Sequence, residues 1–574
     1  MYILGIHDGH NCGATIVKNG KICVSILEER ITRKKNEVGF PSKSIIACLN
    51  FLNLKKNDIS EVVFSSEFMH SKDYLINPLA WYKVNFNDQK NDENKPKDYL
   101  KIIFKQRTEE RKLEIKKLLK IKDDKIKFYN HHFCHMASAF YTSPFNNKKA
   151  VLAITADGSG DNLSGTVYIC KNGKFKKISE TKRDSSLGKI YSRVTALMGM
   201  KPWEHEYKVM GLAPYANLKY ATKIKNIFKK LIYFNKKKIN FQKKTKLSMN
   251  YCYDFLKKNL AEQRFDNIAG GLQMFTEEIL VQLVTEAIKK TNIHNVVLGG
   301  GVFMNVKANN LISKIKKLKN LYIMPSAGDE SLSIGAALHL SYQSIIKKNY
   351  QNSVLKNLYL GQEFFYEDEF RAIKKFKLNK SMFKFYSSSK VLNCKIAALL
   401  AKGKVVARCA GRAEWGARSL GNRSIISRAD NYLSVEKINS MIKQRDFWMP
   451  FAPAILDTQQ KRYFDNPKNI SSKFMTMAFD TKKNKDYLHL VAASHLRDRT
   501  IRPQVVTKDS NFNFHQILEE FYKITKMAAV INTSFNLHGF PIVNNPSDAI
   551  NVFLNSDLDY LALNNFLIKK KINN

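Results

Sequence analysis

Residues 298–305 read LGGGVFMN, directly after the β-branched run Val296–Leu298 and directly before a helical stretch. A glycine-rich turn from strand to helix turns backbone N–H groups toward the helix start, an arrangement that suits a phosphate. A second glycine turn, DGSGD at 157–161, follows the strand-like run Val151–Thr155 and reads as the same kind of loop. The N-terminus adds a strand over Tyr2–Ile6, a polar loop HDGHNCG, then Ala14–Val17, Asn19-Gly20 and Ile22–Leu27. Asn-Gly between alternating apolar runs predicts a hairpin. Any tight turn can use such glycines, so each loop is weak evidence alone.

Two such loops beside an Asp-bearing hairpin predict an α/β fold of the actin-like ATPase kind, with nucleotide between two halves. Leu272–Lys290, with apolar residues at helical spacing, leads into the strand at Val296–Leu298. The Lys-rich stretches 84–128 and 217–258 read as surface insertions or solvated helices. Composition turns polar around 341–395, and a fresh α/β series starts at Lys404–Arg408. A domain boundary is therefore expected within 345–365, giving domains 1–350 and 351–574. No internal repeat is visible.

At 574 residues the chain exceeds the roughly 250–300 at which a single core stops growing. Hydrophobic content of 44% and charged content of 25% exclude disordered and collagen-like classes. The 95 Lys and Arg against 50 Asp and Glu leave a net charge of +45, which first suggests nucleic acid or an anionic membrane. Much of it is Lys dispersed among Asn, as in KKLIYFNKKKINFQKKTKL, and no Arg/aromatic stripe gathers it. No basic leader precedes an apolar run and no stretch of about 18 apolar residues exists. Eight Cys without a CxxC pair argue for reduced thiols and a cytoplasmic protein.

Chemistry is concentrated in a few blocks. In HHFCHMASAF, His131 and His135 are four apart and share a helix face, while His132 points elsewhere. Asp157 at a strand end and Asp329 in SAGDESLSIGAAL offer carboxylates where α/β folds bind ligands. Two imidazoles with one or two carboxylates suit iron, manganese or zinc. In the C-terminal half, Arg412, Arg418, Arg423, Lys443, Arg445 and Arg502 recur beside glycine and aromatic residues, the composition of a phosphate or carboxylate pocket. Asn532, Thr533, Ser534 and Asn536 follow an apolar strand and offer short polar groups. The absence of GxxxxGK[ST] and GxSxG argues against P-loop and α/β-hydrolase chemistry.

The ordered set ILGIHDGHNCGATIVKNGKI, LEERITRKKNEVGFP, HHFCHMASAF, EYKVMGLAPYA, LGGGVFMNVKAN, SAGDESLSIGAAL, GRAEWGARSLGNRSI, FWMPFAPAIL, RPQVV and INTSFNLHGFPIVNNPSDAI resembles the O-carbamoyltransferases of the nodulation protein U, cephamycin carbamoyltransferase and tobramycin carbamoyltransferase type. The resemblance covers almost the whole chain. It implies an actin-like N-terminal domain, akin to the tRNA threonylcarbamoyl-transfer ATPase, that binds metal and nucleotide. It implies a YrdC-like C-terminal domain that makes carbamoyl-adenylate from carbamoyl phosphate and ATP. The carbamoyl group would then pass to a hydroxyl of a small acceptor, a sugar or secondary metabolite.

Carried over by motif, His131, His135, Asp157 and Asp329 match metal ligands, with Fe(II) the implied ion and Mg2+ accompanying ATP. His10 matches the histidine near the transferred group and is the candidate general base. Gly300, Gly301 and Asn305 match the nucleotide loop, with Glu206 and Lys208 lining its cleft. Arg418, Lys443, Arg445, Arg502, Asn532 and Ser534 match the carbamoyl-phosphate and ATP pocket. The sequence departs from the pattern at Asn11, where the family has Asp, at Ala417, where it has Pro, and at HLRDRT before Arg502.

Two other readings stand beside this one. They are a tRNA threonylcarbamoyl-type modification enzyme and a basic RNA-binding protein on an ATPase fold. The motif blocks favour the small-molecule branch, so neither nucleic acid nor membrane is the expected partner. The acceptor is left open, and a homodimer is one option.

Overall fold

In the computed structural model, which describes residues 1–77, 85–96, 98–145, 148–344 and 352–570, the N-terminal hairpin forms as its Asn-Gly turn predicts. Strands β1 (Tyr2–His7), β2 (Gly13–Lys18) and β3 (Lys21–Leu27) pair antiparallel, with Asn19 and Gly20 at φ 48° and 75°. Both residues of a tight primed turn need that left-handed conformation. β4 (Ile59–Phe64) adds parallel to β1, and β5 (Ile126–Phe128) parallel to β4, giving the order β3-β2-β1-β4-β5.

The same plan then recurs. β6 (Val151–Gly160), β7 (Leu163–Lys171) and β8 (Lys174–Lys182) form an antiparallel meander. After a separate hairpin of β9 (Ile232–Asn235) and β10 (Asn240–Lys243), β11 (Asn295–Gly299) adds parallel to β6. β12 (Asn320–Ile323) adds parallel to β11, so the second sheet runs β8-β7-β6-β11-β12 with the pairing senses of the first. The duplication lies in topology. Sequence shows no repeat because a pleated strand constrains side-chain alternation more than residue identity.

Helices α1 (Tyr99–Leu119), α2 (His131–Thr142), α3 (Leu187–Leu197), α4 (Glu206–Leu212), α5 (Leu218–Phe228), α6 (Phe265–Thr291), α7 (Val306–Ser313) and α8 (Leu332–Ser344) connect and cover these sheets. α2 and α8 cross at backbone contact. A Cβ on Gly335 would lie 2.0 Å from the Cys134 carbonyl oxygen, so only glycine permits that crossing.

Two sequence expectations change here. The stretch 84–128 is not simply solvated, because α1 carries Arg111 with no exposure at all. Its Nε lies 2.8 Å from Asp8 Oδ2, its Nη2 donates to Asp8 Oδ1 at 2.9 Å, and its guanidinium stacks over Phe64 and Phe128 at 4.5 and 4.9 Å. Within 217–258, α5 buries Ala221, Ile224 and Phe228 against α6. Lysine-rich composition hid both, since long basic side chains reach solvent from helices whose other faces are packed.

The chain divides into two compact units, Met1–Glu28 with Asn36–Leu355, and Glu29–Lys35 with Lys356–Asn574. Residues 350 and 351, where the sequence puts the boundary, lie outside the described residues. That the second unit takes in Glu29–Lys35 was not anticipated. Arg30 there donates to the Gly416 carbonyl at 2.6 Å, and Arg33 to those of Ile542 and Pro541 at 2.6 and 2.8 Å. Motif reading assigns residues by order along the chain and has no signal for such an excursion.

The second unit holds β13 (Phe383–Phe385), β14 (Val406–Cys409), β15 (Arg423–Arg428), β16 (Ala452–Leu456), the short pair β17 (Phe479–Asp480) and β18 (Thr500–Ile501), β19 (Gln504–Val506), β20 (Ala529–Ser534), β21 (Tyr560–Ala562) and β22 (Phe566–Lys569). All but β17 and β18 form one mixed sheet, β13-β22-β21-β14-β15-β20-β16-β19. Its central strands are buried on both faces. Ala407, Ile425, Ile531 and Leu561 join a core with Ala549 and Phe553 of α11 (Pro546–Leu554). By alternation Ile426 and Val530 face the other side, where α9 (Ser389–Ala401) and α10 (Phe512–Thr525) pack. Among the described residues no helix is long and apolar enough to cross a membrane.

Replacing Arg111 by Met leaves the Asp8 carboxylate buried without its partner, which costs about 3–5 kcal/mol. Denaturant unfolding should show that loss for Arg111→Met and recovery of most of it in Asp8→Asn/Arg111→Met. Equal loss in the two variants would contradict the buried pair.

Candidate metal centre and anion site

Asn130 caps α2 by accepting from the N–H groups of His132 and Phe133 at 3.1 and 3.3 Å. Asp161 Oδ2 accepts the His131 N–H at 2.7 Å, and the same carboxylate accepts from Glu67 and Phe68 at 2.9 Å each. The helix start is thereby fixed to the end of β6. Gly160 lies directly beneath it, where a Cβ would fall 2.1 Å from the His131 ring.

That arrangement brings His131, His135, Asp157 and Asp329 together, one ligand-type atom from each lying within 4.8 Å of the others. His131 Nε2 is 3.4 Å from Asp157 Oδ2 and 3.7 Å from Asp329 Oδ1, and His135 Nε2 is 3.5 Å from Asp329 Oδ1. Both Nε2 atoms are buried without a hydrogen bond. Donors about 2.0–2.2 Å from one ion stand roughly 3.0–3.6 Å from each other, so this spacing and the orphaned nitrogens fit a shared cation. Supporting contacts orient the set. Gly301 N–H donates to Asp157 Oδ1 at 2.9 Å, and Ser331 Oγ lies 3.4 Å from His135 Nδ1.

Electrostatics follow from the mixed charges. Burial alone would lower His131, but Asp329, Asp157 and Asp161 outweigh it and hold the imidazole up at about 9. Burial raises Asp157 and Asp329, and the facing histidines reverse that, leaving both below the ordinary carboxylate range. His132 points away as expected, its Nδ1 3.0 Å from Thr155 Oγ1, and burial with the other two histidines pushes it down to about 3. Sequence reasoning missed His7. Its Nδ1 meets Ser65 Oγ at 3.0 Å, its Nε2 meets the His10 carbonyl at 3.0 Å, and the same Nε2 lies 3.8 Å from Asp329. It also missed Asp161, although the closing Asp of DGSGD was in view.

The candidate base His10 stands outside the four-residue group, its ring edge-on to Trp203 with centroids 5.6 Å apart. Asp8 is engaged by Arg111, and Asn11 takes a left-handed φ of 57°, a conformation asparagine tolerates better than most residues.

Of the two glycine loops, only LGGGVFMN runs from strand to helix as expected. DGSGD is not a strand-to-helix turn. It ends β6 and leads through Asp161 and Asn162 straight into β7. In LGGGVFMN the Gly301 N–H is already taken by Asp157. Asn305 caps α7 by accepting from Ala308 at 3.0 Å and forms a reciprocal amide pair with Gln273 at 2.9 Å in each direction. Glu206 accepts from Trp203 N–H at 2.6 Å, and burial pushes its carboxyl up to about 7. Lys208 stands two residues on in α4.

In the second unit several predicted groups meet at the end of β20. Lys443 Nζ, 4% exposed, donates to Ser534 Oγ at 3.2 Å and to Asn536 Oδ1 at 2.7 Å. Burial, then Arg445 and Lys35, hold that ammonium well below the usual lysine range. Arg445 donates to Thr533 Oγ1 at 2.9 Å. Asn532 Nδ2 donates to Gln504 Oε1 at 2.6 Å and to the Ser419 carbonyl at 3.3 Å, which ties the segments bearing Arg502 and Arg418 to the same strand. Arg412 and Arg423 do not belong to this set. Arg412 donates to the carbonyls of Gly361 and Leu360, and the fully buried Arg423 to those of Asn544, Ala410 and Gly411. Both hold loops together.

An acid whose folded value is raised binds its proton more tightly when folded. Glu206 therefore makes the protein less stable as pH rises from about 4.5 to 7. Unfolding curves across that window should show wild type losing stability relative to Glu206→Gln, and parallel curves would contradict the burial.

The family model for the carbamoyltransferase N-terminus matches residues 2–338, and that for the carbamoyltransferase C-terminus matches residues 397–570. An uncharacterised protein of Methanocaldococcus jannaschii is 32% identical over 592 residues, covering 99% of each chain. Nodulation protein NolNO of Sinorhizobium fredii is 26% identical, covering 99% of this chain and 79% of that one. Among solved structures, full-length HypF in its phosphate- and nucleotide-bound form is 12% identical, with a TM-score of 0.33 over 62% of this chain and 56% of that one.

Proposed function

The chain belongs to the carbamoyltransferase family and is a carbamoyl-transferring enzyme, and from that premise we propose an ATP-dependent O-carbamoyltransferase that works in two steps at two separate sites. The second unit, read as YrdC-like, hydrolyses carbamoyl phosphate to carbamate and phosphate, and the carbamate oxygen then bonds the α-phosphorus of ATP as pyrophosphate leaves, giving carbamoyl-adenylate. The first unit, read as actin-like and supported by its repeated sheet order, passes the carbamoyl group to a hydroxyl of a small acceptor. The observation that carries this reading is the separation of two chemistries by unit. A His/Asp cluster lies in the first, and a Lys/Arg set at the end of β20 lies in the second.

In adenylation, two polyanions must meet. Arg418, Lys443, Arg445 and Arg502 offset their clustered charge, while Asn532 and Ser534 orient the reacting groups through short hydrogen bonds. The low proton affinity of Lys443 without substrate fits a group that takes full positive charge once phosphate fills the pocket. In transfer, His10 takes the acceptor's hydroxyl proton as its oxygen attacks the carbamoyl carbon. His131, His135, Asp157 and Asp329 would hold a divalent ion, Fe(II) for this nitrogen and oxygen set, which when bound supplies Lewis-acid charge for the transfer. ATP would arrive with Mg2+.

Substituting both His131 and His135 by Ala should abolish bound metal and carbamoyl transfer to an acceptor. Carbamoyl-phosphate-dependent pyrophosphate release should stay within about threefold of wild type. Loss of pyrophosphate release from a folded double variant would contradict two separate sites. Arg502→Ala should do the reverse and abolish pyrophosphate release while metal content is retained.

A further inference from the structure

The mechanism above leaves His7 without a role, although its ring lies against both the His/Asp cluster and the loop of the candidate base. The imidazole has no exposure. It ends β1 beside the end of β4, where the Ser65 N–H donates to the Ile6 carbonyl at 3.0 Å. Ser65 Oγ lies 3.0 Å from His7 Nδ1, and the His10 carbonyl lies 3.0 Å from Nε2. A carbonyl oxygen can only accept, so Nε2 carries the hydrogen. In the neutral ring that full burial favours, Nδ1 then accepts from the Ser65 hydroxyl. Neither nitrogen is left with a lone pair for a metal ion. Asp329 Oδ2, 3.8 Å from Nε2, is beyond hydrogen-bond reach.

The bond from His7 falls on the peptide that follows the candidate base. The His10 carbonyl belongs to the His10–Asn11 peptide, and Asn11 sits in the left-handed region at φ 57°. That conformation costs free energy and lasts only where neighbouring groups hold it. Turning this peptide over would release Asn11 and swing the His10 imidazole away from Trp203, against which it lies edge-on. Gly9 lets the loop close over the His7 ring, since a Cβ there would fall 2.9 Å from both Cε1 and Nε2. Backbone pairs also hold the loop, Gly39 N–H to the Gly9 carbonyl at 3.3 Å and Cys12 N–H to the Glu37 carbonyl at 3.1 Å. Neither of those pairs engages the His10–Asn11 peptide, and the bond from His7 does.

We propose that His7 is a positioning residue for carbamoyl transfer: by fixing the His10–Asn11 peptide, it holds the His10 imidazole in place beside the His/Asp cluster. The role rests on His10 acting as the base. His7 itself takes no proton from the acceptor and ligates no ion. Ser65 fixes the rotation of its ring, so the ends of β1 and β4 set the geometry of the base through the series Ser65, His7 and His10. A misplacement of about 1 Å costs a catalytic group on the order of 100-fold in rate, which is what such a support prevents.

Two variants of similar size and polarity separate this role from packing. In His7→Gln the side-chain amide still reaches the His10 carbonyl as a donor, while in His7→Asn it takes the place of Nδ1 and falls short. Tryptophan emission of the full chain reads the contact between His10 and Trp203. It is recorded at about pH 6, where an ordinary imidazole is largely charged and quenches a neighbouring indole. The signal is the emission recovered on adding His10→Ala in each background. His7→Gln should keep most of that recovery, and His7→Asn should lose more than half of it. Ser65→Ala leaves the imidazole in place but frees its rotation, and should also lose part of the signal, which decides the matter if His7→Asn fails to fold. Bound iron should be unchanged in all three variants. An equal signal in His7→Asn and His7→Gln, a full signal in Ser65→Ala, or iron lost from both His7 variants would overturn the role. Absence of carbamoyl-phosphate-dependent pyrophosphate release would instead fail the two-step reading and leave these spectra unaffected.

Discussion

Two imidazoles and two carboxylates facing one another across 3.4 to 3.7 Å in a buried place form the constraint around which the first unit is arranged. None of the four could be buried there alone at acceptable cost. Together they offset one another, and they come from three different parts of the duplicated plan. α2 supplies the histidines, β6 supplies Asp157, and the turn before α8 supplies Asp329. Gly335 lets α2 and α8 meet, Gly160 makes room for the His131 ring, and Asp161 fixes the start of α2. The adjacent Gly160 and Asp161 and the distant Gly335 thus serve one geometric end.

Much of this was legible beforehand, for reasons that differ by residue. His131 and His135 declared themselves because helical spacing converts directly into a shared face. The strands around Asn19-Gly20 followed from turn chemistry. What failed was inference from glycine alone. DGSGD and LGGGVFMN look alike as strings, yet the first continues a strand into a hairpin and the second enters a helix. Only pairing across the sheet distinguishes them, and pairing is not a local property. His7 and Asp161 were passed over for a related reason, since their importance comes from partners 58 and 30 residues away.

The charge of the chain teaches a similar lesson. Arginines near glycines were read as one anion pocket, but their hydrogen-bond partners sort them into two groups. Arg412, Arg423 and, in the other unit, Arg111 hold loops or a buried carboxylate, while Lys443 and Arg445 meet at the end of β20 beside hydroxyl and amide groups. A guanidinium bonded to backbone carbonyls fixes a loop, and a cation among short polar side chains is available to a ligand. Composition cannot separate these roles, because both use the same residue types.

Carbamoyl transfer at the first unit depends most directly on the His/Asp cluster holding a metal ion. X-ray absorption at the iron edge, on protein loaded with one equivalent of Fe(II) without oxygen, tests that without reference to activity. Binding should be stoichiometric, with two imidazoles and oxygen donors coordinating the iron and the imidazole signal lost in the double histidine variant. Iron that binds without imidazole scattering, or fails to bind the folded protein, would contradict it.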